Sequence, residues 1–213
     1  MIDSSTRPPP RPRRQDPAAT RRRLIDAAAV CFNERGLIGV DAARIARCAG
    51  YSNGVFYKHF GNKSDALIAA YDMAVGAQWD AVNEILLSND DAPNIARRIV
   101  DFGVALHARW RGLRAAMLAL LATDRSARAS FKAIRIRQLE TLGDMRRERG
   151  TQSVEREADA LLLATLERGY DALADGEITD LGMSAERFTA KLQDVLLRSL
   201  SPRANQAPAD PPV

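Results

Sequence analysis

The chain has 213 residues, 46% of them hydrophobic and 27% charged, which is enough to bury one or two cores. Two cysteines exclude a disulfide framework. The longest apolar run, Ala115 to Ala122, is far too short to span a bilayer and no segment reads as a signal peptide, so a cytoplasmic protein with no membrane partner is expected. The formal charge of +4 is modest but uneven: residues 1–64 carry 12 Lys/Arg against 5 Asp/Glu, a net of +7, whereas residues 65–213 carry 19 against 22, a net of −3. A basic N-terminal part suits a polyanionic partner, although basic residues also solvate ordinary helix faces.

Residues 1–16 are rich in proline and arginine and nearly devoid of apolar side chains, so a disordered basic arm is expected there. It is either a dispensable extension or a flexible arm whose Arg7, Arg11, Arg13 and Arg14 follow phosphates or enter the minor groove. Asp16-Pro17 is a strong helix start, with aspartate at the N-cap and proline at the first helical position. The helix that follows gathers Leu24, Ile25, Ala28, Cys31 and Phe32 on one face and ends at Gly36. Asp41 can cap a helix over Ala42 to Cys48, and Ala49-Gly50 closes it. Ser52 can cap another over Asn53 to His59. Two helices joined by a short turn containing glycine form a helix-turn-helix, whose second helix enters the DNA major groove. Phe56 and Phe60 can anchor that helix, leaving Asn53, Gly54, Tyr57, Lys58 and His59 for the opposite side. Asn62 opens the next helix as a capping-box variant with Asp65, and Lys63 beside it reads as a phosphate clamp.

From Thr20 to about Tyr71 the sequence resembles the DNA-binding domain of the tetracycline-repressor (TetR) family. The resemblance is carried by Phe32…Gly36, Ile45-Ala46…Ala49-Gly50, the run Ser52-Asn53-Gly54-Val55-Phe56-Tyr57-Lys58-His59-Phe60, and Lys63, all in register. It covers about a quarter of the chain. It implies an all-α fold of about nine helices: an N-terminal three-helix helix-turn-helix domain over 17–64, then a C-terminal helical bundle over 65–200 for ligand binding and dimerisation, with a flexible tail over 201–213. It also implies a homodimer that binds a double-stranded DNA operator and is released from it by a small-molecule effector, with no cofactor, metal or catalytic residue. The DNA-facing positions it implies are Val40, Asp41, Arg44, Ser52, Asn53 and Gly54, then Val55, Tyr57, Lys58, His59 and Lys63. Three of these depart from the family pattern. Val40 lacks the common threonine hydroxyl and keeps only its backbone N–H, Asp41 sets a carboxylate near the phosphates, and Asn53 replaces a usual cation.

Beyond Asn62 the pattern is helical almost throughout, with breaks at Ser88 to Pro93 and at Gly150 to Ser153. Helices are expected to about Ser88, then over Asn94–Trp110, Leu113–Thr123, Ser126–Arg149, Val154–Ala174 and Ser184–Leu200, with Gly112 as a bend and most arginines of the seventh facing outward. An effector pocket is expected among helices four to eight, with Trp79, Phe102, Leu106, His107, Trp110, Met117 and Phe131 as its candidates; aromatics at helical spacing also serve simply as core. The stripes hold few acidic groups, so an apolar or aromatic ligand, neutral or weakly anionic, is expected. Leu161, Leu162, Leu166, Tyr170, Leu192 and Leu196 are the candidates for the dimer interface, with intrachain core as the other reading. Cys31 and Cys48 read as buried small hydrophobes, with a redox pair as the alternative. No phosphate loop, nucleophile elbow or metal-ligand spacing points to catalysis. A purely architectural DNA binder and a protein-interaction module remain as rival readings.

Overall fold

The computed structural model describes residues 16–148 and 155–200. Ten helices and no strands occupy these residues: α1 Pro17–Arg35, α2 Ala42–Cys48, α3 Asn53–Phe56, α4 Lys63–Leu86, α5 Ala92–Arg109, α6 Arg111–Thr123, α7 Arg125–Glu148, α8 Arg156–Ala174, α9 Glu177–Asp180 and α10 Ala185–Leu200. The N-terminal arm, the break at 150–153 and the C-terminal tail lie outside the described residues.

Local chemistry sets several helix starts, at the expected residues for α1, α2 and α4, whereas α5 begins at Ala92, two residues before the expected Asn94, because Asp91 caps it. Asp16 accepts from Ala18 N at 2.9 Å, Asp41 from Arg44 N at 2.7 Å and Asp91 from Asn94 N at 2.9 Å. Asn62 and Asp65 close a reciprocal capping box, with Asp65 N to Asn62 Oδ1 at 3.0 Å and Asn62 N to Asp65 Oδ2 at 3.2 Å. The α1 face of Leu24, Ile25, Ala28, Cys31 and Phe32 is buried as expected. Gly50 takes φ 78°, the left-handed conformation that turns the chain from α2 towards α3.

Several expectations are corrected. The third helix ends at Phe56 rather than His59, because the chain unwinds into turns that bring Phe60 into the core at 5.5 Å from the Phe56 ring. Gly112 does not mark a bend between helices: it lies in the first turn of α6, and a Cβ there would sit 1.9 Å from the Asn33 carbonyl oxygen. Asn33 bridges the junction with its side-chain amide, donating to Arg109 O at 3.0 Å and accepting from Leu113 N at 3.1 Å. The requirement at Gly112 is therefore close approach of α6 to α1. The short α9 was not foreseen. Gly176 at φ 80° starts it and Ile178 is buried beneath it, too brief a segment to show a period.

Two apolar clusters organise the packing. The first joins α1–α3 to α4, α6 and α7 through Phe32, Phe56, Leu67, Leu113, Met117 and Ile134, so the core runs on across the boundary expected at residue 64. The second joins the far half of α4 to α5, α7, α8 and α10. Each fully buried Leu or Phe contributes roughly 1.5–3 kcal/mol. α4, of 24 residues and so about 36 Å long, runs through both clusters.

Candidate DNA-facing surface and effector cavity

On the first region's outer face, Ser52, Asn53, Gly54, Tyr57 and Lys58 are exposed, Tyr57 by 57%, while Val55 and His59 are half-buried. Phe56, fully buried and edge-on to Tyr57 at 5.4 Å, holds this short segment down. Nothing within the protein crowds Gly54: a Cβ there would meet only Ser52 Oγ, at 3.9 Å. Ser52 stands at the cap position but its hydroxyl makes no capping bond; its own carbonyl takes Val55 N at 3.0 Å and Phe56 N at 3.4 Å. The expected side-chain cap is thus corrected, and the hydroxyl is left on the exposed face.

Lys63 has a different employment from the one its position suggested. Its Nζ donates to Leu37 O and Val40 O, each at 2.8 Å, tying the start of α4 to the loop between α1 and α2. Val40, expected among the DNA-facing positions, is buried, 1% exposed as a whole residue. Asp41 is exposed and committed to the α2 cap, and Arg44 is half-buried. Cys48 is exposed, against expectation, and its Sγ lies 3.3 Å from Sγ of buried Cys31. Burial, with the hydrogen bond to Cys48, pushes the Cys31 thiol up to about 12.

The second region contains a cavity of about 80 Å³ among α4, α5, α7, α8 and α10. Val82, Leu86, Ile99, Leu142, Met145 and Leu163 give it an apolar wall, and Trp79 and Tyr170 add aromatic rings. A smaller space of about 20 Å³ lies among α4, α5 and α6 against Tyr71, Leu106, His107, Trp110 and Arg114. Gln78 belongs to both walls. Of the candidate pocket residues, Trp79 lines the larger cavity, and Leu106, His107 and Trp110 line the smaller. The other three line neither space: Phe102 packs against the second core, Met117 is sealed in the first, and Phe131 packs on the Tyr71 ring at 5.9 Å. They lie where helices meet each other rather than where they part.

The proposed interface residues are also largely redeployed. Leu166, Tyr170, Leu192 and Leu196 are buried in the protomer's own core, and Leu162 lines the larger cavity. Leu192 fills the space over Gly169, where a Cβ would lie 2.6 Å from it. Only Leu161 stays open, 69% exposed, with Val195 on α10 also exposed. These helices use their principal stripe to close their own bundle.

A part-buried polar network lies beside the smaller space. Arg114 grips Asp171 with Nε and a terminal nitrogen at 2.9 Å each, and His107 Nδ1 lies 2.8 Å from the same carboxylate. Burial pushes the Asp171 carboxyl up, but hydrogen bonds from His107 and Arg114, with the Arg114 charge, prevail and hold it at about 2. The His107 ring stands edge-on to Tyr170 at 5.0 Å. Sequence reasoning missed Asp171, Arg114 and Gln138; Arg146, expected outward, is instead buried, its Nε 2.9 Å from Asp159 and a terminal nitrogen 2.8 Å from Ser199 O. Among the described residues, two buried side-chain nitrogens lack a hydrogen-bond partner, Nε2 of His107 and Nε1 of Trp79, and both residues line a cavity wall. Among the described residues, no cluster of His, Cys, Asp and Glu could hold a metal ion, and no helix is long and apolar enough to cross a membrane.

Residues 24–70 match the family model described as bacterial regulatory proteins, tetR family. No curated protein matches the sequence. A protein from Rhodococcus sp. described as a TetR-family transcriptional regulator superposes with TM-score 0.69 at 18% identity, over 86% of this chain and 100% of its own. The fatty acid degradation regulator FadR of Bacillus halodurans does so with TM-score 0.61 at 20% identity, over 86% and 97%. FadR of Bacillus subtilis, solved with stearoyl-CoA, gives TM-score 0.56 at 19% identity, over 84% and 96%. At these identities the superpositions establish the fold alone, and the family likeness rests on the matched N-terminal segment. Residues 24–70 are thus similar to the bacterial regulatory proteins of the tetR family, and the described residues share the fold of the TetR-family regulator from Rhodococcus sp..

Proposed function

We propose that the protein is a dimeric repressor that reads an inverted-repeat operator through the α3 surface and is released by a small ligand taken into the α4–α5–α7–α8–α10 cavity. The observation that carries this reading is the course of α4. Its first turn holds the loop between α1 and α2 through Lys63, and Gln78, Trp79, Val82 and Leu86 further along it line the cavity. A ligand that changes the seat of its far half therefore acts on the DNA-facing half through one stiff element. Asn33, bonded to the α5–α6 junction, offers a second mechanical link. That a FadR of this fold was solved with stearoyl-CoA supports a ligand-holding body.

Base reading falls to Asn53, Tyr57 and Lys58, with Gly54 allowing close approach of backbone to DNA. A dimer places two such surfaces roughly 34 Å apart, one helical turn, which matches operator symmetry to protein symmetry. Leu161 and Val195 belong to its interface, since they are apolar and open on α8 and α10. The test is capture of sheared source-genome DNA by the purified protein, with sequencing of the bound fragments. Enrichment of an inverted repeat is expected; capture without a shared motif would replace this reading with an architectural one.

A further inference from the structure

We propose that the effector is a neutral hydroxylated hydrocarbon, an alcohol or phenol, whose hydroxyl donates to His107 Nε2 while its apolar body fills the larger cavity. The inference deepens the reading of the body as an effector domain and rests on it.

Charge comes first. The cations described around the two cavities face carboxylates: Arg114 is paired with Asp171 at 2.9 Å, Arg135 with Glu167 at 2.5 Å and Arg146 with Asp159 at 2.9 Å. A carboxylate ligand would enter a site where each positive group already has its counter-ion, and would lose its hydration there without a matching charge. The apolar wall of Val82, Leu86, Ile99, Leu142, Met145 and Leu163 suits a hydrocarbon body.

Hydrogen-bond direction comes next. His107 is 2% exposed and its Nδ1 faces the Asp171 carboxylate, an acceptor. In the neutral ring the network therefore assigns the proton to Nδ1, and Nε2 presents a lone pair with no donor in reach. A buried acceptor left unmade costs about 1–3 kcal/mol, so the site gains by taking a donor. The space beside His107, about 20 Å³, is the size of one water or one hydroxyl. A ligand that displaces a water from it must reproduce the water's donation, which a hydroxyl does and an ether does not. Gln78 is common to both walls, and the proposed ligand reaches from one space to the other past it.

The experiment titrates the full chain with octanol, octyl methyl ether and octanoate, by calorimetry and by tryptophan emission, since Trp79 and Trp110 line the two spaces. Octanol is expected to bind about tenfold or more tighter than either analogue. In His107→Phe, which keeps an aromatic ring against Tyr170, octanol and its ether should come within about twofold of each other. Because that variant can fail to fold, circular dichroism is checked, and the comparison in the unaltered protein stands alone. An ether equal to the alcohol, octanoate tighter than octanol, or no binding of any probe up to its solubility overturns the proposal. DNA capture by the same preparation is scored separately. DNA bound while the probes fail removes only this ligand class, whereas no DNA bound removes the regulator reading and leaves the ligand result to stand on its own titration.

Discussion

The DNA-facing region and the effector-facing region are both helical and apolar inside, yet they use their polar groups in opposite ways. Around α2 and α3 the candidate DNA-facing polar groups are mostly exposed, and half-buried Lys63 is directed to the backbone, onto Leu37 O and Val40 O. In the body, charged groups are drawn inside, Asp171 between His107 and Arg114 and Arg146 on Asp159, and two buried nitrogens are left without partners beside a cavity. A recognition surface must be finished before its partner arrives. On the proposed function, the cavity holds bonds that the ligand completes, and that difference would couple occupancy to shape.

The contrast can be broken most forcefully at Asp171. Asp171→Asn leaves Arg114 buried with no counter-charge, and a loss of about 2–3 kcal/mol in urea unfolding is expected, reduced from the fully buried case because Asp171 is 30% exposed. A loss below about 0.5 kcal/mol would show the network to be ornamental. The same group sets a pH window. Its folded value of about 2 lies below the ordinary 3.8, so its contribution is present in full above about pH 4 and vanishes as pH falls towards 2. Melts across that range should lose this increment in the unaltered protein and not in Asp171→Asn.

Gly112→Val tests the joint between the regions. Its side chain would meet the Asn33 carbonyl, forcing α6 from α1, and about 1–3 kcal/mol of stability should be lost, read as a Tm fall of roughly 2–10 °C. Within the first region, Tyr57→Ala and Lys63→Ala should separate. Tyr57 is exposed, so its removal should leave the Tm within about 2 °C while weakening operator binding roughly tenfold. Lys63→Ala should instead lower stability by about 1–2 kcal/mol, because two carbonyls lose a charged donor. Equal melting of the two variants would return Lys63 to a purely DNA-facing role. The smallest effect is chemical: a thiol reagent should label Cys48 promptly and Cys31 only on unfolding, at pH values up to about 10, since burial keeps Cys31 protonated.

The recognition region was legible because its determinants are local. Asp16, Asp41, Asn62 and Asp65 act on N–H groups two to four residues away, and a chain read in order contains both partners. The cavity was not legible. Trp79, Leu106, His107 and Trp110 reached cavity walls, but Phe102, Met117 and Phe131 went to the core, since one helical stripe supplies core and pocket alike. Likewise Leu166, Tyr170, Leu192 and Leu196 had the pattern of an interface and serve their own bundle.

By itself, then, the sequence determined the all-helical class, most helix ends, the helix-turn-helix and the likeness of its N-terminal segment to the tetR family, all consequences of caps, periodicity and a motif contained within about forty residues. The tertiary structure alone decided the rest: that Gly112 serves a close approach to Asn33, that Lys63 faces inward, that Asp171 joins His107 to Arg114, and where α4 and α8 part to leave a cavity. Those features depend on groups 23 to 80 residues apart along the chain meeting in space, and no local preference encodes such a meeting.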